Sequence, residues 1–380
     1  MENFIFYNPT KLIFGKDTIP LIIKEIEKYQ YDKILLLAGG GSIKQNGVYD
    51  QIILALKASN INHIEQWGVR PNPVLSHAES ALELARKENV QAILAVGGGS
   101  VLDEAKAIAA GFFVNDIWGL YEHVYPIKKA LPVFTILTLS GTGSEMDGIA
   151  VLTNEKENKK WFISSSLLYP KVSVIDPSIQ MSLPWHQTVN GAIDAITHTQ
   201  EFYFMGDNEE ISLSMDEAII RTIIKCVDKL KIDENDYNSR ANLAWSATLA
   251  LNGISGIALR GGDWATHRIE HAISALHPEV AHGAGLGVIM PAWIKYVYKY
   301  NQKTFERWAK EIWNEDTVDS AIQKLKEKYR FWSAPTTLRE LGISENEIQS
   351  IAKNALLNGI IGNLKNLSFV DIVEILKIAY

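Results

Sequence analysis

Short unbroken apolar runs recur through the first 140 positions, each followed by a glycine-rich turn and then a segment with helical spacing. The run at 33–38 (KILLLA) reads as a buried strand, 61–67 (INHIEQW) as a strand-like run of mixed polarity, and 92–96 (AILAV) and 131–139 (LPVFTILTL) as further buried strands. Helical spacing follows at 47–58, where Val48, Ile52, Leu54 and Leu56 fall roughly on one face, and again at 75–88 and 101–112. Pro71 and Pro73 rule out regular structure between the second and third of these units. Strand, glycine turn and helix in repetition predict βαβ units and a mostly parallel sheet. Beyond Leu183-Pro184 the pattern changes to successive amphipathic helices. These are predicted at 185–204, 209–230, 237–259, 263–276, 284–300, 303–313, 318–329, 345–357 and 368–379. The prediction is an α/β domain with a mostly parallel sheet over 1–181 followed by an all-helical domain over 182–380.

Composition narrows the class. In 380 residues, 47% hydrophobic and 21% charged, there is ample material for two packed cores. A net charge of −7 argues against a cationic face for nucleic acid or acidic lipid. The single Cys226 leaves no intrachain disulfide or thiolate cluster and fits a reducing compartment. No uncharged apolar stretch of about 18 residues occurs. The opening MENFIFYNPTKLIFGK has no basic segment ahead of its apolar residues, so it is a poor signal peptide and a cytoplasmic location is expected.

Two features carry chemistry. The first is the set of turns Gly39-Gly40-Gly41-Ser42 and Gly97-Gly98-Gly99-Ser100, with a third Ser/Thr/Gly turn at 138–144. Glycines at strand ends let a ligand approach the main chain, and the N–H groups that open the next helix favour phosphate. Neither the usual dinucleotide fingerprint nor a P-loop is present, so the turns point to a phosphate-bearing cofactor without choosing one. The second feature is a cluster of acid and imidazole. Asp194 and His198 stand at i and i+4, His267 and His271 repeat that spacing, and His282 follows in VAHGAGLG. Five of the nine histidines lie between 198 and 282, in the half without glycine turns. A carboxylate with several imidazoles suits a borderline divalent ion such as zinc or iron. Such an ion polarises an alcohol or aldehyde oxygen, and a nicotinamide would take or give the hydride.

These residues resemble a known family. GGGSVLDEAK (97–106), TLSGTGSE (138–145), the D-x-x-x-H at 194–198 and HRIEHAISAL…HGAGL (267–286) are similar to the iron-containing alcohol dehydrogenases, and more narrowly to their NADP-dependent butanol dehydrogenase branch. The resemblance implies a Rossmann-like α/β N-terminal domain and an all-α C-terminal domain in a dehydroquinate synthase-like architecture, one divalent metal (iron or zinc), a nicotinamide cofactor and a homodimer, with FIFYNPTKLIFG as an edge strand for pairing. It implies metal ligands Asp194, His198, His267 and His282, with catalysis by Asp194, His267 and the proton-relaying His271. Pyrophosphate contacts map to Gly98, Gly99 and Ser100, with Asp103 one turn further on. Thr138, Leu139 and Thr142 map to the nicotinamide side, Asn72 to the adenosine side, and Lys160 to the cofactor ribose.

Two departures from the family pattern matter. NAD-preferring members carry a carboxylate where this chain has Gly39, Gly40, Gly41 and Ser42, with Lys44 just beyond, so NADP(H) is expected over NAD(H). The segment between His267 and His282 is one residue longer than is usual in the family, which makes His277 an alternative to His282 as ligand. Trp245, Leu249, Leu259 and Trp264, near the metal segments, favour an apolar short-chain alcohol or aldehyde such as butanol or butanal. The alternatives are a glycerol-type polyol dehydrogenase, a dehydroquinate synthase-like lyase, or a metal-stabilised binding protein without activity.

Overall fold

The computed structural model describes residues Met1–Tyr380. The chain forms two compact units, one of Asn8–Leu183 and one of Pro184–Tyr380 joined by Met1–Tyr7. The unit boundary thus falls beside Leu183-Pro184, while the first seven residues belong to the helical unit. Glu2 N donates to Ala258 O at 3.0 Å, and the terminal ammonium pairs with Glu209 at 2.9 Å.

Unit Asn8–Leu183 contains β1 (Lys11–Phe14), α1 (Leu21–Glu27), β2 (Lys33–Ala38), α2 (Ser42–Gln45), α3 (Val48–Ser59), β3 (Asn62–Trp67), α4 (Leu75–Lys87), β4 (Ala92–Gly98), α5 (Gly99–Gly111), α6 (Trp118–Tyr121), β5 (Val133–Leu139), β6 (Ile149–Asn154), β7 (Lys159–Ser164) and β8 (Val172–Ile175). Six strands form one parallel sheet in the order β1-β8-β5-β4-β2-β3, and β6 with β7 makes a separate antiparallel pair. Ile34, Leu36, Leu94, Val96, Phe134, Ile136 and Val174 are almost completely buried in its core, as expected of central parallel strands covered on both faces. From β2 the chain runs first to β3 on one side, then returns to β4 on the other. This reversal makes a switch point at the carboxyl ends of β2 and β4, where Gly39–Ser42 and Gly97–Ser100 lie.

Three local expectations change. Helix α3 buries Val48, Ile52 and Leu56, whereas Leu54 is 72% exposed. Spacing of four keeps the first three on one stripe, and Leu54 lies half a turn away. The sequence pattern did not mark the β6–β7 hairpin or β8. The helix expected over 237–259 ends at Leu251, since Gly253 and Gly256 have φ of +96° and +77°.

The helical unit consists of α7 (Trp185–Tyr203), α8 (Glu210–Ile232), α9 (Tyr237–Leu251), α10 (Ala265–Leu276), α11 (His282–Val297), α12 (Gln302–Trp313), α13 (Val318–Phe331), α14 (Ile348–Ala355) and α15 (Phe369–Ala379). Its core carries three fully buried tryptophans, Trp293, Trp308 and Trp332. Helix α7 is buried along most of its length, so its polar side chains need partners inside the protein. No helix is long and apolar enough to cross a membrane.

Candidate metal centre and cofactor turns

Three helices bring the acid and imidazole groups together. Asp194 and His198 project from α7, His267 and His271 from α10, and His282 is the first residue of α11. Glycine makes the approach possible. A Cβ on Gly283 would lie 2.1 Å from Asn190 O, so α11 begins directly against the backbone of α7. A Cβ on Gly285 would lie 2.7 Å from Glu270 Cγ, on α10. Larger residues at these two positions would push His282 away from Asp194.

Asp194 Oδ1 lies 3.5 Å from His198 Nδ1, 3.7 Å from His267 Nε2 and 3.7 Å from His282 Nε2. These separations exceed the roughly 3.2 Å limit of a good N–H···O hydrogen bond. Two ligands about 2.1 Å from a tetrahedral ion are about 3.4 Å apart. Asp194 Oδ1 and His267 Nε2 are buried and make no hydrogen bond, an arrangement that is costly without a cation between them. Ligand atoms of Asp194, His267 and His282 all lie within 4.8 Å of one another. His198 stands at the border of this group, its ring stacked on His267 with centroids 4.5 Å apart. The donor set and its spacing fit a divalent ion.

Electrostatics agree. Burial acts to raise the Asp194 carboxyl, but the imidazoles of His198, His267 and His282 overcome it and bring its pKa down to about 2. Burial acts to lower His267, yet Asp194 and Glu201 hold it up at about 9. A metal ion satisfies the same carboxylates by displacing the imidazolium proton.

Sequence reasoning missed two carboxylates. Glu201, fully buried on α7, lies 3.2 Å from His267 Nδ1 and also accepts from the backbone N–H groups of Trp264, Thr266 and His267. Glu270, fully buried on α10, holds His282 Nδ1 and Ser274 Oγ. Each carboxylate fixes a ring so that Nε2 faces Asp194, which is the usual work of outer-shell carboxylates in metal sites. The sequence marks these glutamates only by spacing, and each holds an imidazole other than the one that precedes it by a turn. In H-T-Q-E and H-R-I-E a glutamate follows a histidine by three residues, one helical turn on. His271 joins Glu270 and His282 in a second group with ligand atoms within 4.8 Å. His277, the alternative to His282, points elsewhere, to Glu347 at 3.0 Å and Glu279 at 3.4 Å. Trp264 forms an apolar wall, its ring 5.3 Å from His267 and 6.2 Å from His198. Trp245 is 40% exposed on α9.

In the other unit, α5 opens at Gly99 with no side-chain cap, leaving its first N–H groups available. A Cβ on Gly99 would lie 2.4 Å from the Thr142 side chain, and one on Gly98 3.2 Å from Leu139 Cβ. The turn after β5, with Thr138, Leu139 and Thr142, is therefore packed on the start of α5 at Gly98, Gly99 and Ser100. Asp103 accepts from Ser144 Oγ at 2.6 Å and Val151 N at 3.1 Å. Its carboxylate braces that turn, and burial pushes its pKa up to about 6. Lys160 Nζ, on β7, donates to Asn72 Oδ1 at 2.9 Å with both residues buried. Gly39, Gly40, Gly41 and Ser42 connect β2 to α2, with Gly41 at φ +107°.

Glycine turns at a parallel-sheet switch point in one unit and a buried Asp/His box in the other fit a class of enzymes that use a metal ion and a dinucleotide. The chain belongs to the iron-containing alcohol dehydrogenase family. It matches the model "iron-containing alcohol dehydrogenase" over residues 9–177 and the family's C-terminal model over 188–380. It is 38% identical to NADH-dependent butanol dehydrogenase A of Clostridium acetobutylicum, with 100% of each chain covered. It is 33% identical to the NADPH-dependent aldehyde reductase YqhD of Escherichia coli, over 93% of this chain and 92% of that one. The crystal structure of NADH-dependent butanol dehydrogenase A from Thermotoga maritima superposes with a TM-score of 0.98 at 50% identity, covering 100% of this chain and 99% of that one.

Proposed function

We propose that this protein is a metal-dependent, NADP(H)-linked alcohol dehydrogenase and aldehyde reductase. Its proposed substrates are short-chain primary alcohols and aldehydes such as butanol and butanal, and it works as a cytoplasmic homodimer. The observation that carries the reading is the box of Asp194, His267 and His282, whose ligand atoms lie within 4.8 Å of one another, with His198 Nδ1 3.5 Å from the same Asp194 oxygen. Iron or zinc held there would supply a Lewis acid for an alcohol or carbonyl oxygen, and the nicotinamide would supply hydride chemistry.

The chain's own residues do the rest. Glu201 and Glu270 hold two imidazoles in one tautomer, each with Nε2 inward. Trp264, with Phe202 edge-on to it at 5.1 Å, keeps one side of the box apolar, which favours a short alkyl chain over a polyol or sugar acid. His271, whose ring nitrogen lies within 4.8 Å of Glu270 and His282 ligand atoms, would accept a proton as an alcohol is oxidised and return it in reduction. On the cofactor side, no carboxylate stands within Gly39–Ser42 to repel a 2′-phosphate. Similar proteins named for NADH and for NADPH both occur, so cofactor choice has to be argued from residues. Steady-state assays with butanal and NADPH or NADH, with and without a chelator, test the whole reading. Turnover that survives complete metal removal would refute it.

A further inference from the structure

Next to the first glycine turn, the exposed Lys44 is held by aromatic faces. Its ammonium lies 3.9 Å over the Trp67 ring centroid and 5.1 Å over that of Tyr49. Lys44 makes no ion pair, although a carboxylate sits in the same corner. That carboxylate, Glu65, gives one oxygen to Tyr49 OH at 2.6 Å and the other to Trp67 Nε1 at 2.7 Å. His63 approaches the first oxygen at 3.4 Å.

Trp67 is itself fixed to the glycine turn. It pairs with Ala38 across β2 and β3, and Gly68 N donates to Ala38 O and Gly39 O at 3.1 and 3.2 Å. Its carbonyl lies 3.0 Å from His77 Nε2, and His77 Nδ1 lies 2.5 Å from Glu104 on α5. The Trp67 backbone is therefore tied to both the β2 turn and the helix behind the second turn, and the indole on it is oriented by its own bond to Glu65.

An ammonium on an aromatic face keeps its charge and its outward N–H donors. An ammonium paired to Glu65 would be neutralised and turned away. We propose that Trp67 is the positioning residue for dinucleotide choice. Its ring presents Lys44 beside Gly39–Gly41 as the cation for an adenosine 2′-phosphate, and its N–H keeps Glu65 occupied. The ligand that suits this corner is a phosphate monoester, for which lysine is an effective point charge. The inference rests on the NADP(H) reading above.

The test uses full-length, metal-loaded protein and two cofactor fragments, adenosine 2′,5′-bisphosphate and 5′-AMP, with Kd values from titration calorimetry. Wild type should bind the bisphosphate about tenfold tighter than AMP. Lys44→Met should bring that ratio close to one, and Lys44→Arg should restore most of it. Trp67→Leu should lower the ratio about three- to tenfold with AMP affinity unchanged, while Trp67→Phe, which keeps an aromatic face but releases the Glu65 oxygen held by the indole N–H, should fall between Trp67→Leu and wild type. Equal loss of both fragments in Trp67→Leu would assign the indole a structural role and overturn the proposal. So would a ratio indifferent to Lys44. The NADP(H) reading has its own readout, the wild-type kcat/KM ratio for NADPH and NADH and its shift in Gly39→Asp. The Cβ this change adds would lie 3.4 Å from Val69 O, a contact the backbone can absorb. Preference for NADH in turnover would reject that reading, and the fragment ratios would still decide Lys44 and Trp67.

Discussion

Replacing Glu201 with glutamine changes almost no volume and removes one charge from behind His267. In the native protein the carboxylate accepts from Trp264 N at 2.6 Å, Thr266 N at 3.2 Å and His267 N at 3.3 Å, and it faces His267 Nδ1 at 3.2 Å. Every one of these partners is a donor, so the new amide must turn its own NH2 toward at least one of them. Two consequences can be separated. Weakening of charge-assisted bonds at a buried site costs about 1–3 kcal/mol of stability. For a unit of this size that corresponds to a fall of about 5 °C in the thermal midpoint. Loosening the His267 ring costs metal affinity, and outer-shell changes of this kind lower it about 10–100-fold, or about 1.4–2.7 kcal/mol. Metal affinity would be measured by competition with a chromophoric chelator, and folding by circular dichroism of metal-free protein. If Glu201→Gln lost stability while its metal affinity matched wild type, the carboxylate would be only a cap for the start of α10, and the account of how the imidazoles are aimed would be wrong.

Three further predictions use other parts of the structure. His282→Ala should lower metal affinity by more than the roughly 100-fold expected of an outer-shell change, while His277→Ala, which loses contacts to Glu279 and Glu347, should leave metal content alone. Metal analysis after dialysis distinguishes the two. His271→Ala should lower turnover about 10²-fold with the metal retained. Metal loss matching that of His267→Ala would make His271 a ligand. Burial raises the pKa of the Asp216 carboxyl, on α8, to about 8. The folded state then keeps a proton that the unfolded chain releases above about pH 4, so this contribution to stability is whole below that pH and declines as pH rises to about 8. The slope is at most about 1.4 kcal/mol per pH unit. Asp216→Asn should flatten the fall in thermal midpoint between pH 6 and 8, and parallel curves for the two proteins would count against it.

Much of the fold could be read from spacing. The runs 33–38 and 92–96 match β2 and the start of β4, and the helices expected over 185–204, 318–329 and 368–379 match α7, α13 and α15 to within two residues. Periodicity works there because each element buries one continuous face or run. It gave no sign of the β6–β7 hairpin, whose first strand is apolar on both faces and whose turn uses Asn158 at φ +53°. It misplaced Leu54, since proximity in sequence is not alignment on a helix face.

The chemistry divides in the same way. Local sequence put Asp194 with His198, and His267 with His271, because i and i+4 share a helix face whatever the helix packs against. It also placed glycines at strand ends, where φ at Gly41 and close approach at Gly97 and Gly99 disfavour other residues. Which histidine completes the box could not be settled locally. His277 and His282 were both within reach along the chain, and only the contact of Gly283 with the backbone of α7 brings His282 to Asp194. The roles of Glu201, Glu270 and Trp67 depend likewise on neighbours from other segments. A side chain's type and spacing are written in the chain, but its partners are set by which backbones approach closely enough to exclude everything else.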